Sequence, residues 1–329
     1  MKILYVTLFD DLFPSARSRV YLVKDSLPES MKAKVICIYK LNVNELNILH
    51  RYTYLFFIVL KKVFVLLRVL FVAKKYDRIV FHLMPISYLP AKILLSLNKN
   101  IIYDFVDNLN FKKKYFFFYR NVKLITTNSK YLLEKSKLYN PNSKLLFDPF
   151  KKSSYKIERR GVLTIGWTGS SSTTNYLDSI IDICDKVKKK YGKKVNFLFI
   201  GADTKILNKI NATVIPYTNK TENEDIRKID IGLTPLDSSS RSLAKNTYKI
   251  YQYMANGIPQ VATNIGMNKL SINHNENGFL VDTKDEWYSS ICRLVDNEKL
   301  RMSIGKRAIT DFNNNFTNKV IDDFIETYK

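Results

Sequence analysis

The most regular feature of the sequence is a series of short apolar runs, rich in β-branched and aromatic residues, that alternate with longer helical or mixed segments. This alternation is typical of parallel sheets built from βαβ units. We therefore predict an α/β fold with two similar six-stranded sheets. The predicted strands are 3–9, 34–41, 77–83, 100–107, 122–128 and 144–150 in the first half, and 162–167, 195–201, 212–217, 229–236, 259–263 and 278–281 in the second.

A length of 329 residues favours two domains, because one hydrophobic core rarely serves so long a chain. Residues 151–161, KKSSYKIERRG, are polar and charged without an apolar period, which predicts a solvated linker. We expect domains over 1–150 and 162–310. Residues 311–329 are predicted to form a C-terminal helix that packs back on the first domain.

The three cysteines, Cys37, Cys184 and Cys292, are widely spaced and form no C-x-x-C pair. This usage suits neither a disulfide framework nor a zinc site and predicts a reducing, cytoplasmic setting. The formal net charge of +23 attracts anions, whether nucleic acid, phospholipid headgroups or phosphorylated substrates. Codon bias in an AT-rich genome explains the same lysine content, so charge alone does not identify the partner.

Two segments mix aromatic and basic residues densely, at 51–76 and at 111–120. In the first, Lys61, Arg68 and Lys75 recur at seven-residue spacing on an otherwise apolar helix, as in helices that lie in a membrane interface. The alternative is that the apolar face belongs to the domain core and the lysines solvate its outer side. Because the basic residues interrupt the apolar stretch, we expect no membrane-spanning helix.

A glycine turn follows the first strand of the second half, in the sequence TGSSSTTN. Gly169 permits close backbone approach, and Ser170 and Ser171 begin the caps of a helix predicted to run to about Tyr191. Such a turn directs amide groups at an anion, and a diphosphate fits that description. Every βαβ unit also needs a turn and a cap, so a purely structural role stays open.

Residues 230–263 predict a strand, a polar loop, a helix and another strand. Lys245, Lys249 and Gln252 stand at i, i+4 and i+7, so they share one face if the helix begins near Lys245. Lysines at a helix start are unfavourable for its dipole, and a bound diphosphate resolves that conflict. The alternative is a solvated face that carries two lysines. Asn256, Gly257 and the following Pro259 predict the end of the helix.

Several polar residues lie at or just after the carboxyl ends of predicted strands of the first half, at the sheet edge where open α/β sheets bind ligands. They are Arg17, Arg19, His82 and Asp104, which are candidates for contact with an acceptor or a phosphate, and Asp107. The two arginines are candidates for phosphate contact, and the alternative is surface charge. His82 could contact an acceptor, although a lone histidine among apolar residues is more often a core residue. Asp107 is a candidate for the acceptor side, and the alternative is that it caps the helix that follows.

The segments IGWTGSSSTTNYL, DIGLTPL, KNTYKIYQYMANGIPQVAT, NENGFLV and LRMSIGKRA occur in this order. They resemble the donor domain of the retaining family 4 (group 1) glycosyltransferases. PSARSRVY, YDFVDN, TNSKYLLEK and YNPN in the first half are similar to the acceptor domain of bacterial members that build surface polysaccharide. The resemblance implies the GT-B fold, in which two Rossmann-like domains face each other across a cleft.

The resemblance also implies roles for the donor-side residues. Residues 169–171 would face the donor phosphates, and Lys245 and Lys249 would neutralise the departing nucleotide diphosphate. The loop from Pro235 to Ser240 would border the sugar. Tyr217, with Glu224 nearby, would hold the base; an exposed strand-end aromatic is the alternative reading of Tyr217.

On the acceptor side, the resemblance implies that a departing phosphate oxygen assists attack on the same face of the sugar. Asp107 is then the candidate for orienting the acceptor hydroxyl or taking its proton. One departure from the family matters. The family commonly carries two glutamates eight residues apart, and Ala244 and Gln252 stand in their places. Gln252 can hydrogen-bond a ribose or a phosphate but is not a carboxylate.

We therefore expect a glycosyltransferase that moves a sugar from a nucleotide-diphosphate sugar to a lipid-linked saccharide. It would be peripheral at the inner face of an anionic membrane. The sequence has no Asp-x-Asp pair and no His/Cys cluster, so no obligatory metal is expected. Two alternatives stay open. A catalytically silent partner subunit fits Ala244 and Gln252, and a nucleic-acid-binding protein fits the charge, although no nucleic-acid-binding motif is present.

Overall fold

The computed structural model describes residues 1–39, 48–106, 112–153, 161–205, 210–246 and 248–329, and side chains within 48–59 are not described. The chain divides into two units. Unit 1 comprises Met1–Phe150, Ala244–Asn246 and Lys319–Lys329, and unit 2 comprises Lys151–Leu243 and Thr247–Asn318. The C-terminal residues thus belong with the N-terminal ones. The predicted linker falls mostly on residues 154–160, outside the described residues.

Unit 1 is built on a parallel six-stranded sheet with the order β2-β1-β3-β4-β5-β6. Its strands are β1 (Lys2–Phe9), β2 (Lys32–Tyr39), β3 (Arg78–His82), β4 (Ile101–Phe105), β5 (Leu124–Thr127) and β6 (Ser143–Leu145). Its helices are α1 (Pro14–Ala16), α2 (Val23–Asp25), α3 (Ile48–Val72), α4 (Tyr88–Leu97), α5 (Phe116–Asn121) and α6 (Lys130–Lys137), with a π-helical stretch, Arg17–Leu22, joining α1 to α2.

Unit 2 repeats the architecture with the parallel order β12-β11-β10-β7-β8-β9. Its strands are β7 (Leu163–Thr168), β8 (Val195–Ile200), β9 (Thr213–Ile215), β10 (Ile231–Thr234), β11 (Gln260–Thr263) and β12 (Phe279–Val281). Its helices are α7 (Ile181–Tyr191), α8 (Glu222–Ile226), α9 (Ser240–Ala244), α10 (Tyr248–Ala255), α11 (Asn268–Ser271), α12 (Lys284–Asp296) and α13 (Glu298–Asn315); α14 (Asn318–Tyr328) follows and returns to unit 1.

Each sheet is covered on both faces, as the continuous apolar runs predict for parallel strands. In β1, Leu4 and Val6 enter a core with α3, α4 and α5. The alternate residues Ile3 and Tyr5 enter the opposite core, with the 14–25 helical segment and α14. In unit 2, β8 divides in the same way between its two faces. All twelve predicted strands are therefore confirmed, with shifted ends.

Two predicted helices differ from the structure. The helix predicted to run from the serines after Gly169 to Tyr191 is a 3₁₀ helix, Ser171–Ser179, followed by α7. The helix predicted over 311–329 begins only at Asn318, because residues up to Asn315 continue α13. No helix of the described residues combines the length and apolarity needed to cross a bilayer.

Candidate functional site

The turn after β7 is shaped by close backbone approach. The amide of Gly169 donates to the carbonyl of Ile200 at 3.0 Å. A Cβ at Gly169 would lie 2.4 Å from the Trp167 ring and 2.9 Å from Lys249 Nζ, so a larger residue does not fit without displacement. Ser170 and Ser171 follow with exposed side chains, at the N-cap and first position of the 3₁₀ helix.

Lys249 directs its ammonium group at this turn. It lies in the first turn of α10, and its Nζ is 4.1 Å from the centroid of the Trp167 ring. A cation over an indole face is favourable. The predicted association of Gly169 with Lys249 is thus present within unit 2, and it combines turn amides with a positive charge at the carboxyl end of a parallel strand.

Lys245 does not share a helical face with Lys249. The predicted face required a continuous helix, but α9 ends at Ala244 and α10 starts at Tyr248. Ala244–Asn246 group with unit 1, where the Asn246 side chain donates to the Asp148 carboxylate. The prediction that the two lysines are neighbours on one helix is therefore wrong. A role for Lys245 at the phosphates stays a prediction.

A second cluster lies beside the glycine turn and contains a carboxylate that sequence reasoning missed. Glu222, at the start of α8, accepts a hydrogen bond from the Tyr217 hydroxyl at 2.6 Å and another from the Gln252 amide. Gln252 is buried. The buried amide in the family's glutamate position is therefore paired with a carboxylate from a neighbouring element.

Gly201 connects the two clusters. Its φ of 74° lies in the left-handed region, and a Cβ there would stand 2.1 Å from the Gly169 carbonyl oxygen and 2.9 Å from Tyr217 Cβ. The residues after β7, β8 and β9 consequently meet at one sheet edge.

Glu224, the carboxylate predicted to lie near the base, is exposed. Among the described residues, the hydrogen bonds of Tyr217 and Gln252 to a carboxylate go to Glu222 and not to Glu224. The two glutamates are two residues apart on a short helix, so their side chains point in different directions. Only the helix register distinguishes them, and the sequence TENED does not reveal that register. Glu224 is therefore replaced by Glu222 as the carboxylate beside Tyr217.

Pro235, predicted to border the sugar, is buried directly after β10. The loop behind it is organised by Asp237, whose Oδ1 accepts hydrogen bonds from the hydroxyls of Ser239 and Ser242, each at 2.5 Å. Ser242 also contacts the Tyr176 hydroxyl at 3.0 Å. The loop after β10 thus has a defined conformation that depends on one carboxylate.

In unit 1, Arg19 and Asp104 form a buried ion pair. The Arg19 side chain is fully buried and contacts Asp104 at 2.6 Å and Asp148 at 2.9 Å. Its Nη1 also donates to the carbonyl oxygen of Leu146 at 2.8 Å, beyond the end of β6. Burial alone would lower the pKa of the guanidinium, but the two carboxylates raise it above its usual value.

This network corrects the predictions for Arg19 and Asp104 as acceptor or phosphate contacts. Arg19 is 1% and Asp104 3% exposed, and both are engaged with protein groups. Asp104 also accepts a hydrogen bond from the Thr126 hydroxyl at 2.6 Å. Burial by itself would raise the pKa of Asp104, yet the Arg19 charge and the hydrogen bonds from His82 and Arg19 hold it well below its usual range.

His82 is completely buried at the end of β3, as the alternative reading of a core histidine expected. Its Nδ1 is 2.7 Å from Asp104 Oδ2, and its Nε2 is 3.1 Å from the hydroxyl of Ser15. Ser15 is a residue that sequence reasoning missed, because nothing in PSARSRVY marks one serine over the other. Arg17 is half-buried in the π-helical stretch, and Asp107 lies outside the described residues.

One family of known proteins matches part of the chain. Residues 162–297 match the family described as "Glycosyl transferases group 1". None of the curated proteins matches the sequence.

Among the described residues there is no group of three or more His, Cys, Asp or Glu side chains placed to hold a metal ion.

Several solved structures of glycosyltransferases are similar to this chain in fold, although their sequences have low identity to it. HepE from Anabaena, in complex with UDP and glucose, is 14% identical over 99% of both chains, with a TM-score of 0.70. A glycosyltransferase from Rickettsia africae is 13% identical over 99% of this chain and 97% of its own, with a TM-score of 0.71. A mutant of TarM from S. aureus, in complex with Fondaparinux, alpha-GlcNAc-glycerol and UDP, is 14% identical with a TM-score of 0.58; the match covers 77% of this chain but only 55% of TarM.

The comparisons show the fold and a partial family match. The chain has two Rossmann-like units, the GT-B fold of the similar solved structures. Residues 162–297, all within its second half, are similar to the group 1 glycosyltransferases.

Proposed function

We propose that this chain transfers a sugar from a nucleoside-diphosphate sugar to a lipid-linked saccharide, in the assembly of a bacterial surface polysaccharide. The observation that carries the proposal is the approach of Lys249 Nζ to the Gly169 turn. A strand, a glycine turn and a helix start direct amide groups at an anion, and Lys249 adds a full positive charge. A diphosphate leaving group gains negative charge in the transition state, so these groups stabilise that state more than the ground state.

We propose further that the transfer retains the anomeric configuration and needs no obligatory metal. A retaining outcome follows from the resemblance to family 4 enzymes, and NMR of the product anomer tests it. The metal proposal rests on Lys249 and the turn amides, which supply positive charge where other transferases use a cation. Excess EDTA should leave turnover unchanged, and a loss restored by Mg²⁺ would contradict this part.

UDP is the first probe for the donor site, because HepE and TarM were crystallised with it. A ligand at 100 times its dissociation constant adds about 2.7 kcal/mol to stability, which a thermal unfolding assay resolves. We expect UDP, GDP or ADP to stabilise the wild type. In Lys249→Ala, the same stabilisation should require a ligand concentration at least 10-fold higher. Lys269→Ala removes an exposed lysine of the same unit and serves as the control.

Three outcomes separate the possibilities. If no nucleoside diphosphate stabilises the wild type, the proposed donor is wrong. If Lys249→Ala binds as tightly as the wild type, the phosphate assignment is wrong. Donor binding without transfer or donor hydrolysis would favour a catalytically silent partner subunit.

The nucleoside end of the donor is proposed to lie at Glu222. Its carboxylate is fixed by the Tyr217 hydroxyl and the buried Gln252 amide, beside the backbone of Gly201. Carboxylates commonly accept hydrogen bonds from ribose hydroxyls at this edge of Rossmann-like sheets. Glu222 would then supply the carboxylate that Gln252 lacks.

A comparison of UDP with 2′-deoxy-UDP and 3′-deoxy-UDP tests this assignment. In the wild type, loss of the recognised hydroxyl should weaken binding by about 10- to 100-fold, since hydrogen bonds to charged groups contribute about 1.5–3 kcal/mol. In Glu222→Gln the discrimination should largely disappear. Glu224→Gln, two residues along the same helix, is the matched control. Unchanged discrimination in Glu222→Gln would contradict the proposal.

A peripheral location at the inner face of the membrane is proposed from α3. Val65 and Val69 of this helix are buried in the core of unit 1, yet another apolar face is exposed. Its residues are Leu60, Val63, Phe64, Leu67 and Phe71, of which Phe71 is 88% exposed. One face of α3 thus belongs to the core, and the exposed apolar face is the one that we propose for the membrane.

The exposed face has basic neighbours. Lys61, Arg68 and Lys75 are all exposed, although Lys75 lies beyond the end of α3 in a 3₁₀ turn. α4, which packs beside α3, exposes Leu89 and Ile93. An apolar surface bordered by cations fits an anionic bilayer, where apolar burial and electrostatic attraction add.

Sedimentation with lipid vesicles tests the membrane proposal. We expect binding to phosphatidylserine-containing vesicles, weaker binding to neutral ones, and at least a 10-fold loss in Phe64→Ser/Phe71→Ser, since each buried Phe contributes about 1.5–3 kcal/mol. Leu138→Ser is the control, because Leu138 is 74% exposed elsewhere in unit 1. Equal losses in both variants, or equal binding to neutral vesicles, would contradict this surface.

A further inference from the structure

Ser15 is held at the carboxyl edge of the unit 1 sheet by a chain of buried polar groups. Its hydroxyl is 3.1 Å from His82 Nε2, and His82 Nδ1 is 2.7 Å from Asp104. Asp104 is in turn paired with Arg19 at 2.6 Å. His82 ends β3 and pairs in register with Asp104 of β4, and Ser15 is the second residue of α1, after β1. Ser15 is the only one of these four residues that is not buried.

The direction of each hydrogen bond follows from the chemistry of the groups. Asp104 is ionised, because Arg19 holds its pKa low despite burial, and a carboxylate only accepts. His82 must therefore donate through Nδ1. We assign His82 as a neutral imidazole, in which the other nitrogen is an acceptor, so that the Ser15 hydroxyl donates to Nε2.

This polarity fixes what Ser15 can recognise. Its single proton is committed to His82, so its oxygen presents lone pairs to any ligand. Such an oxygen accepts from a hydroxyl group and has no proton for a phosphate. The backbone beside His82 is also strained. Leu83, the next residue, has a φ of 57°, which is uncommon for leucine and indicates that the position of His82 is held by the surrounding structure.

We propose that Ser15 binds a hydroxyl group of the saccharide acceptor, and that His82, Asp104 and Arg19 are positioning residues that set the direction of its hydrogen bond. The proposal rests on the proposed function and deepens it, because it assigns the acceptor side a neutral hydroxyl contact in place of the phosphate contact expected at Arg19. Arg19 is unable to serve there because both neighbouring carboxylates occupy it.

Acceptor-dependent release of nucleotide at pH 8 tests the proposal, with UDP-glucose, UDP-GlcNAc and GDP-mannose as donors and a detergent-solubilised bacterial lipid extract as acceptor. Ser15→Ala should raise the half-saturating acceptor concentration about 3- to 10-fold, the value of one neutral hydrogen bond, while UDP affinity stays constant. Ser15→Thr keeps the hydroxyl and should restore the wild-type value. His82→Asn keeps a donor near Asp104 but no acceptor near Ser15, and should act like Ser15→Ala.

Ser18→Ala is the matched control, because the Ser18 hydroxyl lies on the same helical segment and donates to backbone carbonyls only. An unchanged half-saturation in Ser15→Ala overturns the proposal. A parallel loss of UDP affinity, or a failure of Ser15→Thr to rescue, indicates a structural role and also overturns it. If the wild type binds UDP but shows no acceptor-dependent release with any donor, the proposed function itself is wrong and this inference falls with it.

Discussion

The buried arginine of unit 1 provides the most direct test of the energetics. Arg19→Met replaces the aliphatic stem of the arginine with an unbranched apolar side chain and leaves Asp104 and Asp148 without their guanidinium partner. Removing one partner of a buried ion pair typically costs about 3–5 kcal/mol, because the remaining charge is desolvated and uncompensated. With a urea dependence of about 2 kcal/mol per molar, the unfolding midpoint of unit 1 should fall by about 1.5–2.5 M.

The two tryptophans allow this loss to be assigned to one unit. Trp167 and Trp287 both lie in unit 2, so their fluorescence follows that unit, whereas far-UV circular dichroism follows both. We expect the dichroism transition to acquire an early phase in Arg19→Met while the fluorescence midpoint stays in place. Arg120→Met removes an exposed arginine of unit 1 and should cost less than about 1 kcal/mol.

Acidification supplies a second check on the same variant. Because the pKa of Asp104 is held low in the wild type, its ionised form contributes stability above about pH 4, and that contribution is lost as the pH falls further. In Arg19→Met, Asp104 has lost the charge that holds its pKa low and can take up a proton, so the difference in the free energy of unfolding between the two proteins should narrow toward pH 4. A cost below about 1 kcal/mol at pH 7, or equal shifts of both optical signals, would refute the reasoning.

Three further variants test other parts of the structure. Gly201→Ala should destabilise unit 2 by about 1–3 kcal/mol and weaken UDP binding, because the backbone of Gly201 is left-handed and a Cβ there meets the Gly169 carbonyl. Calorimetry measures the stability and the UDP affinity, and unchanged values would contradict the packing. Gln252→Glu places a second carboxylate against Glu222, so one pKa of the pair must rise. The melting temperature should therefore drop more at pH 8 than at pH 5, and a pH-independent change would argue against the contact. Phe324→Ala should cost about 3–5 kcal/mol in dichroism-monitored unfolding, because its ring is buried in unit 1 beneath the guanidinium of Arg19; a loss confined to tryptophan fluorescence would exclude that location.

The strands were predictable because parallel strands covered on both faces are apolar along their length. Their ends were not predictable from the same signal. Residues 146–150 were predicted as strand but fall outside β6, whose pairing with β5 ends at Leu145. The carbonyl oxygens of Leu146 and Phe147 instead accept hydrogen bonds from Arg19, which lies more than a hundred residues away in sequence, and no local pattern records that contact.

The candidate site was predictable where it depended on local chemistry and not where it depended on register. Gly169 follows a strand directly, and Lys249 lies in the motif-bearing helix, so their association could be expected. The face shared with Lys245 assumed a helix start three residues too early. The choice of Glu224 over Glu222 was likewise a matter of helix register.

The return of α14 to unit 1 has a consequence for how the chain is made. Val320, Ile321 and Phe324 complete a core that also contains Ile3 and Tyr5 of the first strand. During vectorial synthesis on a ribosome, Ile3 and Tyr5 must therefore wait for residues 319–329, which are translated after unit 2. While unit 2 is being made, the nascent unit 1 exposes the apolar groove that α14 later covers.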